Sequence, residues 1–132
     1  MSGRRATYLD SSAIVKLAVE EPESAALRRA LRGRTELVSS ALARTEVART
    51  LLADGQDVVN RGEAVLERIE LARVNDRVLR LAGQLTPHGV RSLDAIHLAT
   101  AKLLERVKLV VTYDARMAEA ARAMKWKVSA PS

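Results

Sequence analysis

Short strand-like runs alternate with helix-like stretches along the chain, and this alternation limits the fold more than any other feature of the sequence. Apolar residues recur at helical spacing in the longer stretches, whereas the shorter runs are too short for a helix and contain strand-like residues such as those of Leu109-Val110-Val111. Predicted strands cover residues 6–10, 36–39, 69–74, 108–112 and 127–129. Predicted helices begin at Ser11 and after Pro22 and cover 41–54, 57–68, 75–84, 92–106 and 114–124, with Pro87-His88-Gly89 as a loop. Alternation of this kind predicts an α/β fold in which helices flank a parallel sheet.

The size and composition of the chain fit one folded domain over residues 1–132. A chain of 132 residues buries roughly two thirds of the surface that it exposes when unfolded. Its 48% hydrophobic and 29% charged residues are typical of a globular protein. The absence of cysteine excludes disulfides and thiolate metal sites. The first residues lack the apolar core of a signal peptide and no stretch reaches transmembrane length, so we expect a cytoplasmic protein.

The chain is basic, with 22 Lys and Arg against 16 Asp and Glu, a net charge of +6 and a pI of about 10.3. Such a charge favours polyanionic partners. The cluster of Arg28, Arg29, Arg32 and Arg34 is interpreted first as a solvated helix face and second as a phosphate site. Aromatic residues are too few for a base-stacking platform, so a bound nucleic acid is expected to be held through its phosphates.

Four acidic residues lie at positions of the predicted fold where a carboxylate could form part of a binding site. Asp10 closes the first predicted strand and Asp114 closes the fourth. The carboxyl ends of strands in an open parallel sheet are where ligands bind. Asp94 lies two residues after Ser92, at the start of a helix, and Glu46 lies in the middle of a predicted helix beside its buried face.

Each acid also has a purely structural interpretation. Asp10 and Asp114 are equally well explained as helix N-caps, and Asp94 as a first-turn acid that the helix dipole favours. The argument for a site rests on the four together. At roughly 5 Å, two carboxylates repel by about 3 kcal/mol at an effective dielectric constant near 20, so a cluster needs a cation. With no cysteine and only His88 and His97 as imidazoles, Mg²⁺ or Mn²⁺ fits these oxygen donors better than zinc.

Four segments, in order, resemble the PIN-domain ribonucleases, and among them the VapC-type toxins of toxin–antitoxin pairs. They are 8–17 (YLDSSAIVKL), 43–49 (ARTEVAR), 92–101 (SLDAIHLATA) and 112–114 (TYD). The resemblance implies a three-layer α/β/α sandwich with a mostly parallel sheet. It also implies a metal site of Asp10, Glu46, Asp94 and Asp114, with Ser12 supporting Asp10. One departure is Met124-Lys125-Trp126, which replaces a glycine common before the last strand and leaves the geometry of that turn open.

The same resemblance implies metal-dependent endonucleolytic cleavage of RNA, including structured RNA such as tRNA, a cognate VapB-type antitoxin, and a homodimer. In-line hydrolysis with one or two Mg²⁺ ions would leave 5′-phosphate and 3′-hydroxyl ends. Two alternatives remain. A PIN-like domain that binds RNA or an antitoxin without catalysis would use the acids only as caps. An aspartyl phosphatase would need a second acid two residues after Asp10, where this chain has Ser12.

Several further residues have two interpretations each. For His97 we favour a packing or hydrogen-bonding role beside Asp94 over a role as metal ligand. The hydroxyls of Ser12 and Thr112 are either ordinary turn hydroxyls or partners of the site. Arg116 either binds a phosphate or pairs with Glu119 one helical turn away. Apolar positions in the first helices form either a partner surface or core, and the sequence does not choose: Ile14, Leu17 and Leu27.

Overall fold

A computed structural model of the protein describes residues 4–34, 36–86 and 89–132. Within these residues five strands form one parallel sheet in the order β3-β2-β1-β4-β5. The strands are β1 (Ala6–Leu9), β2 (Leu37–Ser40), β3 (Glu70–Ala72), β4 (Val107–Val111) and β5 (Lys127–Ser129). The ends of all five lie within two residues of their predicted positions, and β3 is shorter than predicted by three residues.

The helices of the described residues connect these strands. They are α1 (Ser11–Ala18), α2 (Ser24–Leu31), α3 (Ala43–Leu51), α4 (Gln56–Glu67), α5 (Asp76–Gln84), α6 (Ser92–Leu104) and α7 (Ala115–Ala123). A short 3-10 turn follows α3 at Leu52–Asp54, and Gly55 ends it with a φ of 97°. Glycine adopts that left-handed conformation without steric penalty. No helix in the described ranges combines the length and the apolar character that crossing a membrane requires.

Apolar side chains cover both faces of the sheet because strand residues point alternately to opposite faces. Leu9 and Val111 join a cluster with residues of α1, α2, α3 and α4 on one face. Tyr8 and Val110 join a second cluster with residues of α6 and α7 on the other face. The predicted α/β/α sandwich is therefore confirmed, and the central strands β1 and β4 are buried on both sides.

Three sequence predictions have different outcomes when compared with the structure. Helix α3 begins at Ala43, so Glu46 lies in its first turn, and the prediction of a mid-helix position was wrong. The turn before β5 keeps a left-handed residue although no glycine is present, because Lys125 adopts a φ of 75°. This conformation costs roughly 1–2 kcal/mol for an L-residue. The predicted loop at Pro87-His88 lies outside the described residues.

Candidate active site

Asp10 is almost completely buried, with 5% of its surface exposed, where β1 ends and α1 begins. Its Oδ1 accepts hydrogen bonds from Ser12 Oγ at 2.6 Å and from the backbone N–H of Ala13 at 3.2 Å. Its Oδ2 accepts one from Thr112 Oγ1 at the end of β4. A carboxylate has about four acceptor positions, so one position remains for another ligand. Burial raises the pKa of Asp10 above its usual range, and the hydrogen bonds from Ser12 and Thr112 act against that rise.

Asp114 caps α7 in the same way that Asp10 caps α1. Its Oδ1 accepts hydrogen bonds from the N–H groups of Arg116 at 2.8 Å and Met117 at 3.1 Å. Its own N–H donates to Thr112 Oγ1 at 3.1 Å, so Thr112 joins the two acids. Both predicted caps are therefore present. Since the capping bonds of Asp114 end on Oδ1, Oδ2 is left for a further ligand in the described part of the chain.

Asp94 lies in the first turn of α6 and is half-buried. Its pKa is raised, first by burial and next by the negative charge of Asp114, with smaller contributions from Asp10 and Glu46. A carboxyl group responds to like charges only when they are near it. The four acids lie at the carboxyl edge of the sheet: Asp10 and Asp114 follow β1 and β4, Glu46 lies in the first turn of the helix after β2, and Asp94 lies at the start of the helix that leads into β4.

Glu46 makes its main contact with a histidine. Its Oε1 lies 2.6 Å from Nε2 of His97, and the hydroxyl of Tyr8 lies 2.7 Å from Nδ1 of the same ring. A carboxylate only accepts, so Nε2 donates, and in the neutral ring Nδ1 then accepts from the Tyr8 hydroxyl. Both rings are buried. The structure therefore agrees with a hydrogen-bonding role for His97.

The carboxylates suit a hard cation by their chemistry, but they are not drawn together as a finished ligand set. All four are oxygen donors, which Mg²⁺ and Mn²⁺ prefer. Among residues 4–34, 36–86 and 89–132, however, no three Asp, Glu or His side chains are grouped closely enough to hold a metal ion. Asp10 and Glu46 instead accept hydrogen bonds from protein groups, Ser12 and His97 among them.

A cavity of about 250 Å³ opens beside Asp94, between the start of α6 and the side of α7. Arg91, Arg116 and Glu119 also line it. Among the ion pairs of the described residues, none joins Arg116 to Glu119, so the predicted pairing is not present. Two guanidinium groups at the wall of a cavity that contains Asp94 are well placed for phosphates.

Sequence reasoning missed two of these residues. Tyr8 was counted only as a strand residue, although its hydroxyl reaches a histidine 89 positions away. No local pattern signals that contact. Arg91 stands next to the motif that begins at Ser92, and its position before a helix start was the one available signal. Ile14 and Leu27 are fully buried, so they are core, whereas Leu17 lines an apolar groove.

The PIN domain family model matches residues 7–123. The chain is 56% identical over 128 residues to ribonuclease VapC46 of Mycobacterium tuberculosis H37Rv, covering 96% of this chain and 98% of that protein. It is 33% identical over 130 residues to ribonuclease VapC47 of Mycobacterium tuberculosis CDC 1551, covering 94% of this chain and 96% of that protein.

Solved structures of low sequence identity share the fold. VapC20 of Mycobacterium tuberculosis, described as a toxin that cleaves the sarcin-ricin loop, gives a TM-score of 0.75 at 15% identity, covering 86% of this chain and 94% of that one. A toxin–antitoxin complex from Klebsiella pneumoniae gives a TM-score of 0.73 at 19% identity, covering 96% of this chain and 98% of that one. At these identities the similarity shows the architecture alone.

Proposed function

Because this chain belongs to the PIN-domain family, and within it to the VapC ribonuclease toxins of toxin–antitoxin systems, we propose that it is a Mg²⁺-dependent endoribonuclease acting through Asp10, Glu46, Asp94 and Asp114. The observation that carries the proposal is the position of the four acids at the carboxyl edge of the sheet, where Thr112 bonds both Asp10 and Asp114. Four carboxylates that sense one another at a strand edge are stabilised by a divalent cation.

The four acids are the residues that would hold Mg²⁺, with Mn²⁺ as a substitute. A bound Mg²⁺ supplies an activated water and stabilises the charge that develops on the leaving oxygen. Asp10 and Asp114 each keep an acceptor position beyond their capping bonds. The pKa of Asp94 is raised by burial and by the charge of Asp114, so a cation beside it would relieve that repulsion.

The remaining polar residues of the site position these acids and the substrate. The hydroxyls of Ser12 and Thr112 fix the orientation of the Asp10 carboxylate. His97 fixes that of Glu46. Arg91 and Arg116 line the cavity beside Asp94 and would bind phosphates on either side of the scissile bond. No side chain is required as nucleophile, so the products carry 5′-phosphate and 3′-hydroxyl ends.

The test is cleavage of total cellular RNA by purified antitoxin-free protein, with Mg²⁺ or Mn²⁺ against EDTA and with Asp94→Asn alongside. We expect discrete, metal-dependent cuts that the variant does not make, with a 5′-phosphate on the downstream fragments. Fragments ending in a 2′,3′-cyclic phosphate would contradict the proposal, because they require attack by the RNA 2′-hydroxyl.

For partners we propose a VapB-type antitoxin, a structured RNA substrate and a homodimer. The antitoxin follows from the family and from a fold neighbour that was solved as a toxin–antitoxin complex. A structured substrate follows from VapC20, whose target is described as the sarcin-ricin loop. Light scattering of the purified protein tests the dimer, and relief of toxicity on co-expression with a neighbouring open reading frame tests the antitoxin.

One observation favours a second candidate, a PIN-like module that binds RNA or an antitoxin without cutting. It is that the described acids are not grouped as three metal ligands. Calorimetric titration with Mn²⁺ separates the two candidates. Binding that Asp94→Asn abolishes supports the nuclease, whereas no binding to folded protein supports the module.

A further inference from the structure

The second cavity of interest lies at the opposite edge of the sheet from the four acids. It has a volume of about 390 Å³ and is lined by the amino-terminal ends of β1, β4 and β5 and by the loop after α2. All the described strands run parallel, so their amino ends share one edge and their carboxyl ends the other. At about 3.3 Å per residue, strands of this length separate the two edges by roughly 15 Å.

Positive charge dominates this amino-edge cavity. Its exposed lining includes four cations: Arg5, Arg34, Lys108 and Lys127. Glu36 is the acid among its described lining residues, and it already contacts Arg4 at 3.9 Å and Arg106 at 3.6 Å. Within the part of the chain that the structure describes, none of the four lining cations takes part in an ion pair. With four cations against one acid, the described lining carries a net positive charge.

Local backbone features bring the cations to this edge. The pairing of β1 with β4 shifts register after Ala6, which pairs with Val107, because Thr7 pairs with Leu109. Lys108 is the extra residue of this bulge, and bulges redirect side chains away from their regular direction. Gly33 adopts a φ of 80° just after α2, which turns the chain so that Arg34 enters the lining.

We propose that the amino-edge cavity binds backbone phosphates of a folded RNA substrate, at a site separate from the cleavage centre. Lysine and arginine are the usual ligands of nucleic acid phosphates. No aromatic side chain occurs among the described lining residues, so contacts of these cations with phosphates are favoured over an aromatic stacking platform for bases. Its apolar side chains, Ala6 and Leu109, are buried or half-buried, so it lacks the apolar centre of a protein interface.

This inference rests on the proposed function, because its ligand is the substrate of the nuclease. It adds a size requirement. Only an RNA that reaches across the roughly 15 Å between the two edges contacts both sites, which a folded arm does and a fragment of one or two nucleotides does not. The cavity therefore favours structured RNA over short fragments, through affinity and without changing the chemistry.

The test compares Lys108→Gln/Lys127→Gln with the parent protein in binding total transfer RNA, measured in EDTA so that no cleavage occurs. Both lysines are exposed, so the fold is expected to persist, and thermal unfolding checks it. We expect the slope of log affinity against log salt to fall by about 2, because each phosphate-binding lysine contributes about 1. The loss of affinity between 50 and 200 mM salt then shrinks about tenfold, since each phosphate contact accounts for roughly threefold over that range.

The matched control is Lys102→Gln/Lys125→Gln, which removes the same charge from two exposed lysines outside this cavity. An equal change of slope in the control, or an unchanged slope in Lys108→Gln/Lys127→Gln, would overturn the proposal. Binding of duplex DNA is measured in the same way. If Lys108→Gln/Lys127→Gln weakened binding of duplex DNA but not of transfer RNA, the assignment to RNA would be overturned. Cleavage of a short oligoribonucleotide in Mg²⁺ reports on the proposed function separately, and we expect Lys108→Gln/Lys127→Gln to retain it in full.

Discussion

Nε2 of His97 lies 2.6 Å from Oε1 of Glu46, and this contact joins α6 to α3 beneath the acidic edge of the sheet. Tyr8 extends the link to β1 through its hydroxyl, 2.7 Å from Nδ1 of the same ring. Three elements far apart in sequence thus fix one carboxylate. Such partners orient the groups they touch, and their loss typically reduces activity 10–100-fold in metal sites.

We expect Tyr8→Phe to reduce cleavage about tenfold and to lower the free energy of unfolding by about 1 kcal/mol, the usual value of one hydrogen bond. The ring stays in the core, so only the hydroxyl is lost. A double-mutant cycle with Glu46→Gln measures the coupling. If Tyr8→Phe lowers activity equally in both backgrounds, the tyrosine does not act through Glu46.

Thr112→Val keeps the shape of a buried side chain and removes the hydroxyl that donates to Asp10. A hydrogen bond to a charged group contributes about 1.5–3 kcal/mol, and a loss of that size is expected in chemical denaturation at neutral pH. The pKa of Asp10 should rise further, because Thr112 is one of the groups that oppose the effect of burial. Thr100→Val serves as a control, since the hydroxyl of this buried threonine donates to the carbonyl of Ile96 in its own helix.

Asp94→Asn should stabilise the metal-free protein at neutral pH while abolishing cleavage. The pKa of Asp94 is raised in the folded state, so the folded protein binds this proton more tightly than the unfolded chain does. The contribution of Asp94 to the free energy of unfolding is therefore greatest below the ordinary aspartate pKa, and it is lost as the pH rises through the raised value. Asp94→Asn has no carboxyl group there and does not lose this contribution. We expect a gain of about 1 kcal/mol or less, because the group is partly exposed and water screens the repulsion.

Denaturation of parent and variant across pH 3 to 8 tests this prediction. The two unfolding free energies should diverge as pH rises and converge at the acidic end. A variant less stable than the parent at neutral pH, in EDTA, would show that Asp94 is stabilised by its surroundings and not repelled by them.

Mg²⁺ should raise the midpoint of thermal unfolding of the parent and leave Asp94→Asn unchanged. A ligand that binds only the folded state stabilises it by about 2.7 kcal/mol at a concentration one hundred times its Kd. Sodium chloride at matched ionic strength controls for screening of the surface charges. An equal rise in parent and variant would place the metal somewhere other than at Asp94.

Two glycines in helices are expected to respond oppositely to alanine. A Cβ on Gly62 in α4 would lie 2.7 Å from Leu51 Cδ1 and 3.2 Å from Val47 Cγ1, so Gly62→Ala should destabilise the protein by about 1–3 kcal/mol. A Cβ on Gly83 in α5 meets no described atom within 4 Å. Gly83→Ala should be neutral or stabilise by up to about 1 kcal/mol through helix propensity. Urea denaturation measures both, and a destabilising Gly83→Ala would contradict the contrast.

The sequence by itself determined where the strands and helices lie and which acidic residues stand at their ends. Alternation of short apolar runs with helical periodicity located the strands and helices, because both patterns follow from local backbone geometry. Asp10 and Asp114 were identified at strand ends since a polar residue after an apolar run is a local signal. The helix caps were also predictable, as a cap bonds N–H groups only two or three residues away.

Only the tertiary structure decided how those acids are held. The strand order places β4 beside β1, which brings Thr112 against Asp10 across 102 positions. It also decided that Glu46 turns to His97 and that Lys108 is the extra residue of a bulge in the pairing of β4 with β1. Periodicity describes one element at a time, whereas these contacts depend on which elements become neighbours when the sheet assembles and buries both its faces.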